Sequence, residues 1–183
     1  MKRFLAIVAG SIVVFLAGAM IEEWEVFAQP WFTPPQEESP VSEDDQRAGV
    51  KTINLYLTLS SHLYGTGGDP RFAERIPASP DVIDETLREI SYLRSHHFIE
   101  DPVLQRMDPI DVKGLGPGML EIRTKEYWII RRYFIGTTEV RGTRSDVVFN
   151  VYRLSRTGSN DWQVVAWEPA SPVSSENVEG LRS

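Results

Sequence analysis

The sequence has 183 residues, no cysteine and a formal net charge of −7 at pH 7. A chain without cysteine has no disulfide framework, and its length leaves room for one domain of ordinary size. The acidity is local, because residues 22–46 carry eight acidic residues and no lysine or arginine, while residues 47–183 are nearly neutral. A near-neutral domain lacks the basic surplus of a general nucleic-acid binder, so we expect no nucleic-acid partner.

The chain begins with an apolar run that extends from Phe4 to Ile21 and contains no charged residue. At about 1.5 Å per residue, a helix of this length approaches the thickness of a bilayer core. Lys2 and Arg3 precede the run and glutamates follow it, so the positive-inside rule places the N-terminus in the cytoplasm. Trp24 follows where interfacial aromatic rings are favoured. This pattern predicts one transmembrane helix in the inner (plasma) membrane and a periplasmic or otherwise extracytoplasmic main domain.

The same run also fits a cleaved secretory signal peptide, because residues 17–19 are small and have the spacing of a cleavage site. Both interpretations, a membrane anchor or a signal peptide in residues 1–21, export the bulk of the chain. Residues 22–46 are predicted to be an acidic, proline-rich linker, since prolines and repelling charges disfavour a helix. The extracytoplasmic domain then spans residues 47–170, and residues 171–183 form a polar tail.

Two helices are predicted at the start of the domain. The first begins near Ser42, which can cap it together with Asp45, and it ends at the glycine-rich residues 65–68. Its expected apolar face is broad and comprises Val50, Ile53, Leu55, Leu57, Leu59, Leu63 and Tyr64. The second helix has Ser79 as its cap and Pro80 at its first position, which is a favourable start.

From residue 119 onward the hydrophobic pattern alternates, which predicts three consecutive antiparallel strands. Prolines and glycines interrupt the preceding residues 96–118, and a short helical turn near residues 103–107 is compatible with their positions. One face of the first strand is apolar and comprises Leu120, Ile122, Trp128, Ile130 and Phe134. The opposite face is charged and comprises Glu121, Arg123, Lys125 and Arg131. The second strand, residues 144–155, is apolar on both faces, which is typical of a strand covered on both sides.

Residues 144–169 contain a strand, an Arg-Thr-Gly turn and a strand that ends in Trp-Glu-Pro. This segment resembles the closing hairpin of NTF2-like domains, which are also described as SnoaL-type or cystatin-like cones. The resemblance implies an α+β fold in which helices pack on a curved antiparallel sheet. The layout of one N-terminal span followed by such a domain is similar to that of VirB8-like components of type IV secretion systems.

Enzymes with this fold carry Asp, Tyr or His side chains inside the cone. The resemblance therefore implies a candidate pocket lined by Tyr127, Asp146 and Tyr152. His96 and His97 are adjacent and lack both zinc-type spacing and a second ligand pair, so we expect neither a metal nor a cofactor.

Two functions follow from these features. The first is a membrane-anchored, non-enzymatic interaction or assembly module, an accessory or scaffold subunit that contacts other subunits of a membrane or envelope complex. Its expected contact face carries Arg123, Lys125 and Arg131, since residues 121–156 contain eight basic and four acidic residues. The alternative is a small-molecule-binding or catalytic NTF2-like domain with the Asp/Tyr-lined pocket. A cone filled by the rings of Trp128, Phe149 and Trp162 would favour the first function.

Overall fold

A computed structural model describes residues 40–159 and 161–171, in which three helices precede a four-stranded antiparallel sheet. The helices are α1 (Glu43–Gly65), α2 (Pro70–Ala73) and α3 (Pro80–Ser95). The strands are β1 (Phe98–Gly116), β2 (Met119–Phe134), β3 (Val140–Arg156) and β4 (Trp162–Pro169), which neighbour one another in chain order. The α+β class predicted from the sequence is confirmed.

The described residues include no helix that is long and apolar enough to cross a membrane. The predicted span, with Phe4, Ile21 and Trp24, lies outside them, as do most of the linker and of the polar tail. The last residues assigned to the linker, 43–46, belong to α1.

Both predicted helix starts are present. The hydroxyl oxygen of Ser42 accepts a hydrogen bond from the backbone N–H of Asp45 at 3.1 Å, which caps α1. Ser79 is the residue before α3, but its side chain makes no capping bond. Its backbone N–H donates instead to the carbonyl oxygen of Val164 at 2.8 Å, which ties the start of α3 to β4.

The buried face of α1 differs from the predicted face at several positions. Leu55 is 47% exposed, whereas Tyr56 is buried and was not predicted. Leu55 lies about 200° around the helix from Ile53, which is fully buried, so the two side chains point in opposite directions. Gly49 allows close packing on the sheet, because a Cβ atom there would lie 2.8 Å from Cδ1 of Ile122.

The predicted helical turn at residues 103–107 is wrong, because these residues belong to the 19-residue strand β1. The strand pairs with β2 from Phe98 opposite Phe134 to Gly116 opposite Met119, and three register shifts interrupt the ladder. Prolines are tolerated here because β1 is an edge strand and bulges relieve the pairing.

The alternation predicted for β2 is confirmed for its first half, where Leu120, Ile122 and the two following even-numbered residues are buried, whereas Trp128, Ile130 and Phe134 are only half-buried. We call this the inner face, because α1 and α3 pack on it to form the core; the opposite side is the outer face. The expectation that β3 is covered on both sides is wrong at Val147, which is 53% exposed. The reason is that β4 pairs only with Asn150–Arg156 and leaves the first half of β3 at the edge of the sheet.

Candidate functional site

The outer face of β2 carries a cation held between aromatic rings. The ammonium nitrogen of Lys125 lies 5.2 Å from the ring centre of Tyr127 and 5.7 Å from that of Phe149. The guanidinium carbon of Arg106, on β1, lies 5.0 Å from the Tyr127 ring. Two cations therefore share one tyrosine ring, and the aromatic rings hold both side chains against the sheet.

Arg123 lies next to this cluster, two residues before Lys125, and stands between Asp111 on β1 and Val151 on β3 in the strand register. It makes no ion pair within the part of the chain that the structure describes. Arg131 lies six residues beyond Lys125, which is about 20 Å along β2 at roughly 3.3 Å per residue. Its guanidinium is 3.7 Å from the Asp101 carboxylate, so its charge is largely matched within the domain.

We define the basic outer patch as Arg106, Arg123, Lys125, Tyr127 and Phe149. The exposed side chain of Val147 borders it, opposite Tyr127 in the register of β2 and β3. The Arg106 guanidinium is paired with the Asp108 carboxylate, so Arg123 and Lys125 supply the positive charge of the patch. This charge lies beside aromatic and aliphatic surface, and arginine and aromatic residues are enriched in protein interfaces.

The structure does not bring the three predicted pocket residues together. Tyr127 lies on the outer face of β2, whereas Asp146 and Tyr152 lie on the inner face of β3, about 20 Å apart along the strand. Asp146 accepts a hydrogen bond at 2.8 Å from Nε of Arg144, and Tyr152 is 2% exposed. A single pocket cannot be lined by all three side chains.

The inner face instead contains a buried carboxylate, Glu126, which is 1% exposed and was not predicted. Its Oε1 atom accepts hydrogen bonds from the hydroxyl groups of Thr124 at 2.7 Å and Tyr152 at 2.8 Å. Its Oε2 atom accepts from the indole N–H of Trp128 at 3.0 Å. The sequence held one signal for this site, since Glu126 has the parity of Ile122 and therefore had to face the core.

The buried tyrosines around Glu126 are held in their protonated form. Burial raises the pKa of Tyr152 well above its usual value, and the neighbouring Glu126 carboxylate raises it further. Burial also raises the pKa of Tyr56 to about 12. The Tyr56 ring meets that of Tyr152 edge-on, with centroids 6.0 Å apart. At neutral pH these phenols serve as hydrogen-bond donors and packing groups and do not accept protons.

A second polar group occupies the inner face at the far end of the sheet. Glu100 is 6% exposed, and its Oε1 accepts hydrogen bonds from Arg132 and, at 3.4 Å, from Arg144. The hydroxyl group of Tyr64, on α1, donates to Glu89 on α3, whose pKa is raised chiefly by burial. These contacts fix α1, α3 and the strands to one another.

The described residues contain no group of three or more His, Asp or Glu side chains that could hold a metal ion. His96 lies at the end of α3 and is exposed, and its ring contacts that of Tyr92 at 4.3 Å. His97 follows with a positive φ of 64°, where the chain turns into β1.

A groove of about 310 Å³ lies at the turn between β1 and β2, where Arg156 and Trp162 form part of its wall. Trp162 is 4% exposed, and the guanidinium of Arg156 lies 4.6 Å from its ring centre.

Trp128 also packs against the core, as Trp162 does, whereas Phe149 lies on the outer face. Two of the three rings expected to fill the cone therefore do so.

Comparisons with known proteins identify the fold. No protein-family model and no curated protein matches the sequence. The intermembrane space region of the chloroplast protein ARC6 superposes with a TM-score of 0.59 at 7% identity, over 73% of this chain and 100% of that one. This likeness confirms the NTF2-like fold expected from the sequence.

Two further solved structures are more distant. A protein from Catenulispora acidiphila gives a TM-score of 0.44 at 10% identity, over 68% of this chain and 92% of that one. Agrobacterium tumefaciens VirB8 gives 0.37 at 10% identity, over 74% of this chain and 99% of that one. Superpositions at this level support no inference.

Proposed function

We propose that the protein is a membrane-anchored, non-enzymatic interaction module that serves as an accessory or scaffold subunit of a membrane or envelope complex. The basic outer patch carries this proposal, because it presents cations, two of them held over aromatic rings, on a sheet face on which none of the described helices packs. Arg123 and Lys125 are the proposed partner-binding residues at its centre. Arg131, paired with Asp101, is proposed to lie at the margin of the same contact surface.

The inner face supports an assembly role over a catalytic one. Both carboxylate oxygens of Glu126 accept hydrogen bonds from side chains of the domain itself. Tyr152 is buried and stays protonated, and it is separated from Tyr127 by the sheet. These residues have the arrangement of a hydrogen-bonded core, in which buried polar groups are satisfied internally.

We propose an extracytoplasmic location on the basis of the sequence around residues 4–21. Phe4 and Ile21 bound the proposed span, and Trp24 is proposed to lie at the far interface. The ARC6 region of similar fold lies in the chloroplast intermembrane space, but at 7% identity it supports the fold alone. Intact-mass analysis of the membrane fraction tests this location, and a soluble mature form that starts at Met20 or Gln29 would contradict a retained anchor.

Charge reversal at the centre of the patch tests the interaction. We expect the double variant Arg123→Glu/Lys125→Glu to remain folded, because the two cation–π contacts of the half-buried Lys125 contribute only about 0.5–1 kcal/mol each. The variant should recover fewer partner proteins in a pull-down from gently solubilised membranes. The loss should be larger at low salt, where charge complementarity steers association.

The matched control is Arg75→Glu/Arg88→Glu, which makes the same change in net charge at exposed positions between α2 and α3 and on α3. This control should recover the same partners as the unaltered chain. A folded Arg123→Glu/Lys125→Glu variant that recovers the same partners in the same amounts would remove the patch from the proposal.

A further inference from the structure

The first half of β3 is an open strand edge. Residues 140–148 pair with β2 on one side, and β4 runs beside β3 only from Asn150 onward. On the other side of this half no described residue forms a strand. Thr143, Ser145 and Val147 are all exposed here. An unpaired edge offers backbone donors and acceptors to another strand.

One backbone hydrogen bond shows in which direction the free N–H and C=O groups of β3 point. The backbone N–H of Ala170 donates to the carbonyl oxygen of Phe149 at 2.8 Å, so Phe149 turns its polar groups away from β2. Backbone groups alternate between the two sides of a strand, and the register with β2 is unbroken over this stretch. Thr143, Ser145 and Val147 therefore point their N–H and C=O groups outward as well.

The other strand edges of the sheet are protected. β1 contains Pro102 and Pro109 and three register shifts, which interrupt pairing with a further strand. The edge of β4 is covered where Val164 exchanges hydrogen bonds of 2.8 and 2.9 Å with the backbone of residues 77–79. The free half of β3 contains no proline.

We propose that the occupant is a second copy of this chain, which pairs antiparallel along residues 142–148 with its two-fold axis at Ser145. In this register Thr143 faces Val147 of the second copy, and both are β-branched residues suited to cross-strand pairs. Arg144 faces Asp146 of the second copy and Asp146 faces Arg144, so the ion pair that these side chains form within each chain can extend across the two-fold axis. The sequence of the edge is thus complementary to itself, as a two-fold interface requires. This pairing leaves the basic outer patch free for other partners.

A cysteine scan of the full chain tests the register, because the protein has no cysteine of its own. Residues directly opposite in a hydrogen-bonded pair have Cα atoms about 5.5 Å apart, which suits a disulfide bond. Under mild oxidation Ser145→Cys should therefore form a covalent dimer on a non-reducing gel. Thr143→Cys is the matched control, since the two copies of residue 143 would lie about 14 Å apart and should not cross-link. A mixture of Thr143→Cys and Val147→Cys chains should cross-link.

A backbone variant separates strand pairing from chance collision. Val147→Pro removes the outward N–H and keeps the ladder with β2, whereas Val147→Thr keeps the N–H and the branched side chain. Cross-linking of Ser145→Cys should be lost with Val147→Pro and kept with Val147→Thr. The proposal is overturned if Ser145→Cys stays monomeric under oxidation, or if Thr143→Cys alone cross-links as readily. Should Val147→Pro impair folding, the comparison of Ser145→Cys with Thr143→Cys still decides.

Discussion

Replacing Tyr152 by phenylalanine tests the buried hydrogen-bond network of the inner face. The change removes the hydroxyl group that donates to Glu126 at 2.8 Å and accepts from the side-chain amide of Asn150 at 3.3 Å. A hydrogen bond to a charged group contributes about 1.5–3 kcal/mol, and the donor and acceptor left behind remain buried. We therefore expect Tyr152→Phe to reduce the free energy of unfolding by about 2–3 kcal/mol. For a domain of this size the melting temperature should fall by roughly 6–12 °C.

The assay is urea and thermal unfolding followed by tryptophan fluorescence, with Tyr127→Phe as the matched control. Tyr127 lies on the outer face and its hydroxyl group makes no hydrogen bond within the described residues, so its removal should cost less than about 0.5 kcal/mol. A double-mutant cycle with Glu126→Gln should give a coupling energy of about 0.5–3 kcal/mol. If Tyr152→Phe is no more destabilising than Tyr127→Phe, or the cycle shows no coupling, the network does not hold Glu126 as described.

Two further predictions concern the helices. The pKa of Glu89 is raised chiefly by burial, so its ionised form is disfavoured in the folded protein and stability falls as the pH rises from the ordinary carboxyl pKa through the raised one. Glu89→Gln keeps an acceptor for Tyr64, and its melting temperature should rise relative to that of the unaltered chain as the pH increases above the ordinary carboxyl pKa; a difference that is constant with pH would contradict this. Gly49→Val should cost about 1–3 kcal/mol in urea unfolding, because the added atoms overlap Ile122. Lys51→Val, at an exposed position of the same helix, controls for the cost of a β-branched residue in a helix, and equal losses for both would refute the close contact.

Local signals predicted the helix starts and the central strand. The side chain of Ser42 caps α1 through the backbone N–H of Asp45, three residues later, and Pro80 fixes the first turn of α3. Neither helix start therefore depends on contacts with distant parts of the chain. Leu120 and Ile122 alone indicate which residues of β2 face the core. The same alternation places the side chain of Tyr127 on the outer face, away from Trp128 and the core. The strand pattern alone therefore argued against Tyr127 as a residue of a pocket inside the cone.

Long-range pairing determined the elements that the sequence pattern did not reveal. The prolines of β1 disfavour a central strand, and only pairing with β2 at the sheet edge makes the long strand possible. Burial of Glu126 depends on the hydroxyl group of Tyr152, which is 26 residues away in sequence. The exposure of Val147 follows from the point at which β4 ends, and the composition of β3 carries no sign of that.

Site-specific photocrosslinking in intact cells tests the proposed partner contact most directly. A photoreactive residue in place of Arg123 should form covalent adducts with one or a few proteins of the membrane fraction. The same residue in place of Arg88, at an exposed position on α3, is the matched control and should give none of these adducts. An absence of adducts at position 123, or the same adducts from both positions, would contradict the assignment of the basic outer patch as the contact surface.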